Sequence, residues 1–600
     1  MEFVVLPDHP AADEVRARLP KRYRKTLCHH SGRPWLVGNW PADAAVCVEA
    51  GPSKIVLFGT AHTTARELLV RLEKARTVRE LDRIAERTAG SFHLVASIGG
   101  FVRAQGSLSG SRGVFSTSLA GITVAANRIS ALGELRRLTL AEDQLASHLL
   151  AFTPPWPLTE RSVWREVDSL PFAHYLLMPP DGTAKPIRWW IPPAPELPVE
   201  LAAPELRTAL VAAVAARAGT SSVIGADLSG GMDSTSLCFL AAESDAGLVT
   251  IRRQLMDPLN CDDSVAGRAM ADLPGAQHIV LDNDTASPYY ESPDREDLAM
   301  DEPPPFIAMA SHMEDVARTM ASHGVTRHLQ GHGSDELAAT GTTYVNAMAR
   351  RSLLGSLGMV RAMRARRRWS LATTLRVVRA FPPYAEWLHR SANELLCPPD
   401  VESEVGWEPA PRLPPWASRE AAALVRDAMT RTADTDPQPM SSIPTQHEIL
   451  RCLRVNGWIV RFANTLGEPF GVSFEAPFLD DRVIETALSV RLADRYVVGR
   501  HKPVLVAALR GTVPDYILDR TTKSHFTVDV YAGRKRNLTK MREMCEESRL
   551  ADLGLISRDG FRRALSSAMP DPMHIGPLEK TLACEAWLRS LAVKTGPQTH

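Results

Sequence analysis

The spacing of apolar positions changes partway along this chain. Over the first 190 residues, short apolar runs recur between Gly and Ser turns: "KIVLFGT", "SFHLVASIG", "GVFSTSL" and "GITVAANRI". Runs of this length, rich in β-branched and aromatic residues, predict strands. Two intervals, "ARELLVRLEKA" and "VRELDRIAERTA", repeat their apolar positions at helical spacing and predict amphipathic helices. The segment "IRWWIPPAPELPVELAAPEL" then carries five prolines. Proline can continue neither a helix interior nor a central strand, so a domain boundary is expected between residues 190 and 200.

From residue 200 onward, strands and helices alternate. "PELRTALVAAVAARAG" predicts a helix, "SSVIGADL" a buried strand and "MDSTSLCFLAAES" a helix. Strand "GLVTIRRQL", helix "SVAGRAMADLPG" and strand "QHIVLD" follow. A long helix, "PPFIAMASHMEDVARTMASHG", and a fourth strand, "VTRHLQG", complete the series. Such alternation predicts an α/β fold with a doubly wound parallel sheet, helices on both faces and ligands beyond the carboxyl ends of the strands. Residues 345–395 read as helical and arginine-rich, 397–417 as a proline-rich break, and the remainder as largely helical.

Charge and composition remove several classes. Lys+Arg and Asp+Glu both number 69, so no broad basic surface for nucleic acid is expected. The eight cysteines include no CxxC pair, which disfavours a zinc or redox site and fits reduced thiols in a cytoplasmic protein. The opening "MEFVVLPDHP" has no apolar core of a signal peptide. No apolar run is long enough to span a membrane.

The candidate chemistry lies in two glycine-containing loops, each placed after a predicted strand. In "LSGGMDS", Leu228 ends the strand. Gly230 and Gly231 let successive backbone N–H groups face an anion, and Ser229 and Ser234 add hydroxyls. The following helix contributes its positive end. There is no kinase-type Gly-Lys-Ser. A carboxylate beside a phosphate cradle needs a cation between them, so Asp233 reads as a ligand for a divalent metal. The second loop, "QGHGSDEL", repeats the arrangement with Gly331, His332, Gly333, Asp335 and Glu336. Asp335 is either a second oxygen ligand for Mg²⁺ or a plain helix cap.

Together, "SGGMDS" and "GHGSDE" about a hundred residues apart resemble the synthetase domain of the asparagine synthetase family, within the wider ATP-pyrophosphatase group. The resemblance implies that Ser229 to Ser234 hold the pyrophosphate of ATP, and that Asp233 and Asp335 ligate Mg²⁺. It also implies that a substrate carboxylate is activated as an acyl-adenylate. "DDSVAGRAMADLPG", "VSFEAPFLDDRVIETAL" and "VPDYILDRTTKSHF" are similar to later family segments, and the last places Lys523 at the family's catalytic lysine. Read without the family, Lys523 is a solvated loop lysine.

The resemblance extends through residues 1–190, which look like the family's glutaminase domain, an α+β sandwich of the Ntn type; residues 200–600 would be the amide-forming domain. Glutamine-hydrolysing members use a cysteine immediately after the initiator Met, where this chain has Glu2. The amine is then expected to come from the substrate itself, as in β-lactam synthetases and lasso peptide cyclases, or from free ammonia. His332 stands where β-lactam synthetases carry a tyrosine that helps deprotonate the amine, so it reads as a base or as a packed ring. The "GHGSDE" form is more like the lasso cyclases. The arginine-rich stretch reads as a docking patch or a solvated helix face. The family's acidic residue before the position of Cys452 is replaced by Arg451; Glu448, one turn earlier, is the candidate acid in its place. The expected function is therefore an ATP- and Mg²⁺-dependent lasso peptide macrolactam synthetase. Its expected partners are a precursor peptide, a leader peptidase and a leader-recognition protein. A small-substrate ligase or an inactive binding scaffold is the alternative.

Overall fold

The computed structural model describes residues 1–600 except 220, 258–261, 339, 380, 398–404, 498, 522–525, 567–571 and 596–600. Strand Gly90–Ile98 is buried along its whole length, which requires cover on both faces. It lies in a six-stranded antiparallel sheet ordered Lys185–Arg188, His174–Met178, Phe101–Gln105, Gly90–Ile98, Ser53–Ala61, Ala45–Ala50. A second six-stranded antiparallel sheet is ordered Asp168–Ser169, Phe115–Leu119, Ile122–Ala126, Glu2–Val5, Pro34–Asn39, Lys25–Cys28. Phe3, Trp35, Phe58, Val95, Val102 and Leu176 interleave between them, so the two sheets form a sandwich. Helices cover both outer faces: Val15 and Leu132 pack on one sheet, Leu68, Leu72 and Ile84 on the other.

Helix Val199–Ala218 follows the proline-rich segment. The parallel sheet has five strands, ordered Gln277–Leu281, Gly247–Arg253, Val223–Asp227, Arg327–Leu329, Ser473–Glu475. Every neighbouring pair is parallel. Leu248 packs to one face, and Val249 and Ile251 to the other, as the twofold period of a doubly covered strand requires. The chain leaves strand Val223–Asp227 to build one side of the sheet and returns to its other edge with Arg327–Leu329. The crevice between those two strands is the switch point where such sheets bind ligands.

Three features depart from expectation. The long helix begins at Ala310 instead of near residue 304, because Pro303, Pro304 and Pro305 carry no N–H and favour extended backbone. The fifth parallel strand, Ser473–Glu475, lies in a region expected to be mostly helical; three residues are too few for a periodic signal. Short strands near residues 168–188 of the sandwich, hemmed by prolines, likewise have no clear alternation.

A buried ion cluster joins the two halves. Arg217 and Asp480 are 0% and 1% exposed and meet at 2.7 Å; Arg217 also reaches Glu475 at 3.1 Å. From the sandwich, Arg112 approaches Glu475 at 3.4 Å, and Arg327 lies 3.8 Å away. Burial alone would raise the Glu475 pKa, but the guanidiniums of Arg217, Arg112 and Arg327 outweigh it and bring it to about 2. A carboxylate depressed below the ordinary value of about 4.3 stabilises the fold above that pH, and the contribution fades as pH falls towards the folded value. Arg217→Met leaves Glu475 and Asp480 short of their main counterion and is expected to lower stability by about 3–5 kcal/mol. Denaturant titration at neutral pH checks the loss, and the deficit should narrow as pH falls towards the folded Glu475 value, where the parent loses the same pairing.

Candidate functional site

The first loop leaves strand Val223–Asp227, with the Leu228 N–H still donating to the Ile251 carbonyl at 2.8 Å. Gly230 has φ +84°, and a Cβ there would lie 2.4 Å from the Asp262 carbonyl oxygen. Conformation and space both demand glycine at this point. The Ser229 and Ser234 hydroxyls are 2.7 Å apart, and the Gly231 N–H donates to the Ser229 hydroxyl at 3.1 Å. Helix Met232–Ala242 starts there, with Asp233 in its first turn. Arg520 donates to the Gly230 carbonyl and pairs with Asp262, which ties the end of "VPDYILDR" to this loop. Lys523 itself lies outside the described residues.

The second loop follows strand Arg327–Leu329, which pairs directly with Val223–Asp227. A Cβ on Gly331 would lie 2.9 Å from both the Asp233 Cβ and the Ser234 backbone nitrogen, so glycine lets the two loops touch. Gly333 is left-handed at φ +98°, with Leu479 2.6 Å from a Cβ position. The Ser334 hydroxyl donates to Asp233 at 2.6 Å. Asp233 and Asp335 share one cation: the Lys502 ammonium binds Asp233 and lies 2.7 Å from Asp335. The Lys502 side chain is 4% exposed, and its backbone is left-handed at φ +46°. Sequence reasoning missed this residue.

Two carboxylates that already hold one positive charge between them are a donor set suited to a hard divalent cation. No cluster of three or more His, Cys, Asp or Glu able to hold a metal occurs among the described residues.

His332 is partly buried, and burial lowers its pKa against the opposing pull of Asp227, Asn456 and Asp335. The ring is therefore neutral at neutral pH and available to accept a proton. Asn456, on helix Pro444–Gly467, lies beside both His332 and Glu336, and its amide donates to the Cys452 carbonyl at 2.9 Å. Burial raises the Glu336 pKa. Glu448 accepts from the Thr343 hydroxyl, so it is engaged with the helix after the loop. Arg451 turns away from the loops, to Thr153 at 2.9 Å and Glu408 at 3.4 Å. It belongs to a buried cluster with His447 and Tyr384, both bonded to Glu408.

Asp227, at the end of the central strand, was also missed. Its carboxylate is 2.9 Å from His328 Nε2. Burial would raise its pKa, but His328 outweighs that and holds it below the ordinary range. A charged carboxylate thus stands behind the two loops.

The chain belongs to the asparagine synthase family: the model of that family, described as asparagine synthase, matches residues 205–589. No curated protein matches the chain. Among solved structures, one similarity is to the glutamine phosphoribosylpyrophosphate amidotransferase of B. subtilis complexed with ADP and GMP. It has 9% identity and a TM-score of 0.22, covering 46% of this chain and 64% of that one. This chain thus spans just under two thirds of that protein. Another is to an allosteric regulatory enzyme of purine biosynthesis, with 7% identity and a TM-score of 0.23, covering 48% of this chain and 81% of that one.

Lys502→Met removes the ammonium that competes for the two carboxylates. Bound cation stabilises a fold in proportion to the logarithm of its occupancy, so Mg²⁺ should raise the melting temperature of the variant more than that of the parent. Scanning fluorimetry with and without Mg²⁺ checks this. Equal shifts would mean that Asp233 and Asp335 do not form the cation site.

Proposed function

We propose that the protein is a lasso peptide macrolactam synthetase. Residues 200–600 form its amide-forming part and residues 1–190 a scaffold derived from a glutaminase. The observation that carries the adenylating half is the meeting of Asp233, Asp335 and Lys502 at the switch point of the parallel sheet. ATP would lie with its pyrophosphate on Ser229 to Ser234 and the N-terminal end of helix Met232–Ala242. Mg²⁺ held by Asp233 and Asp335 would supply charge neutralisation on the phosphates.

In the first step an Asp or Glu side-chain carboxylate of the processed precursor attacks the α-phosphorus. A P–O bond forms, the bond to pyrophosphate breaks, and the product is a mixed anhydride with AMP. In the second step the peptide's N-terminal amine attacks the acyl carbon, AMP leaves and a ring amide forms. His332, neutral and next to the phosphate loops, accepts the proton that the amine loses. Lys523 stabilises negative charge in both steps. Three features support a substrate-borne amine: strand Glu2–Val5 opens on a glutamate, the thiol of Cys28 sits on another strand, and the "GHGSDE" form resembles that of lasso cyclases. The reading includes a leader peptidase and a leader-recognition protein as partners. No helix among the described residues is long and apolar enough to cross a membrane.

The test is ATP–pyrophosphate exchange with candidate substrates, with mass spectrometry for loss of one water from a linear peptide. Asp233→Ala, Asp335→Ala and Lys523→Ala are each expected to lower AMP formation by about a hundredfold or more. Exchange with aspartate or a carboxyethyl amino acid, but not with a peptide, would overturn the macrolactam assignment. A pH series gives a second check. The base form of His332 is the neutral ring, so the rate of amide formation should fall only as pH drops below the ordinary imidazole value of about 6.5. His332→Gln should remove that ascending limb.

A further inference from the structure

Between Glu336 and Glu386 the chain carries nine arginines and no acidic residue. In the fold this stretch forms three helices, Thr342–Arg351, Leu353–Arg367 and Leu371–Val378. They enclose a small core of their own, made by Val345, Val360, Met363, Trp369 and Val377. The buried Asn346 amide ties the first helix to the third by donating to the Val377 and Arg379 carbonyls at 2.6 and 2.5 Å. The unit is therefore a packed platform and not a loose excursion.

The outer surface of the middle helix is unusual. Ser356, Val360 and Met363 face inward. The flanking stripe, at positions 353, 357, 361 and 364, holds Leu353, Leu357, Arg361 and Arg364, all exposed. Leu353 and Leu357 are 55% and 41% exposed, and Leu354 beside them is 84% exposed. One helix face thus runs from leucine to arginine along its axis, a length of about 16 Å at about 1.5 Å per residue.

We propose that this face docks a partner peptide segment that is acidic at one end and carries leucine-like anchors at the other. Charge fixes the acidic end, because Arg361 and Arg364 stand exposed side by side on this face and are complemented by carboxylates. The leucines fix the apolar end, because exposed contiguous leucines gain only by being covered. A membrane surface fits poorly. A helix lying on lipid keeps its cations on the side opposite its apolar face, whereas here leucine and arginine share one stripe. A nucleic acid fits poorly too: Tyr344 and Trp369 are buried, which leaves the three helices no aromatic on which bases could stack. The inference goes beyond the proposed reaction and stands without it.

The test pans a random dodecapeptide display library against the full-length protein and measures the selected consensus peptide by fluorescence anisotropy. Enriched peptides should combine Asp or Glu with Leu, Ile or Phe. Binding should weaken as salt is raised. It should fall by about tenfold or more in Arg361→Glu/Arg364→Glu and in Leu353→Ser/Leu357→Ser. Both variants should keep the parent's melting temperature and ATP–pyrophosphate exchange. If a double variant fails to fold, Leu354→Ser and Arg361→Glu alone carry the same expectation. Enrichment without excess acidic residues overturns the proposal, as does binding unchanged in these variants. Tighter binding to phosphatidylglycerol vesicles or to a single-stranded oligonucleotide than to the consensus peptide also overturns it.

Discussion

The fold turns on the charge balance around Glu475. This buried carboxylate ends the last strand of the parallel sheet, and its neighbours come from every layer that matters to the site. Arg217 belongs to the helix that enters the sheet, Arg112 to the sandwich and Arg327 to the strand that leads into the second loop. The Glu475 carbonyl also accepts from the Gln330 N–H at 2.8 Å, immediately before Gly331. A buried carboxylate is costly unless it is paired and hydrogen-bonded. The three guanidiniums can reach it only if the strand, the helix and the sandwich are docked together. Charge satisfaction therefore sets the position of the second loop against the first, to within the contact that Gly331 makes with Asp233.

That contact explains why both loops were legible in the sequence. Glycine at 230, 331 and 333 is demanded locally, by positive φ or by a neighbour less than 3 Å from a missing Cβ. Serine and aspartate follow at fixed offsets, so the pattern survives as a short motif. The alternating strands and helices were legible for a similar reason, since each is long enough to show its period. Lys502 was not. It lies 269 residues from Asp233, in no motif, and immediately precedes a proline that disfavours helical backbone before it. It nevertheless adopts left-handed φ and ψ. Strain of this kind is held only where the surroundings over-determine it, and here those surroundings are two carboxylates from distant loops. The short strand Ser473–Glu475 was hidden for the same physical reason: its place is fixed by long-range pairing and not by its own three residues.

Arg451 shows how a motif can mislead about geometry. Its position on the helix suggested a lost acidic partner for the loops. The structure spends that guanidinium on Glu408 and Thr153, in a buried cluster that fastens the helix to neighbouring segments. The face of the same helix that does reach the loops is carried by Asn456. A neutral amide beside His332 and Glu336 leaves the imidazole uncharged, as a base must be before it accepts a proton. A carboxylate at hydrogen-bond distance would favour the imidazolium and leave less of the ring in its base form at neutral pH.

The loops and the arginine platform are not independent. Helix Thr342–Arg351 starts a few residues after Asp335, and its first turn is pinned to Glu448 by the Thr343 hydroxyl. The Tyr344 hydroxyl donates to the Leu492 carbonyl at 2.8 Å. Asn346, two residues further on, holds the end of the third platform helix. The path from Asp335 to the platform is thus a series of buried side-chain bonds on one short helix. A segment held along the leucine–arginine face would be tethered at a fixed offset from the phosphate loops.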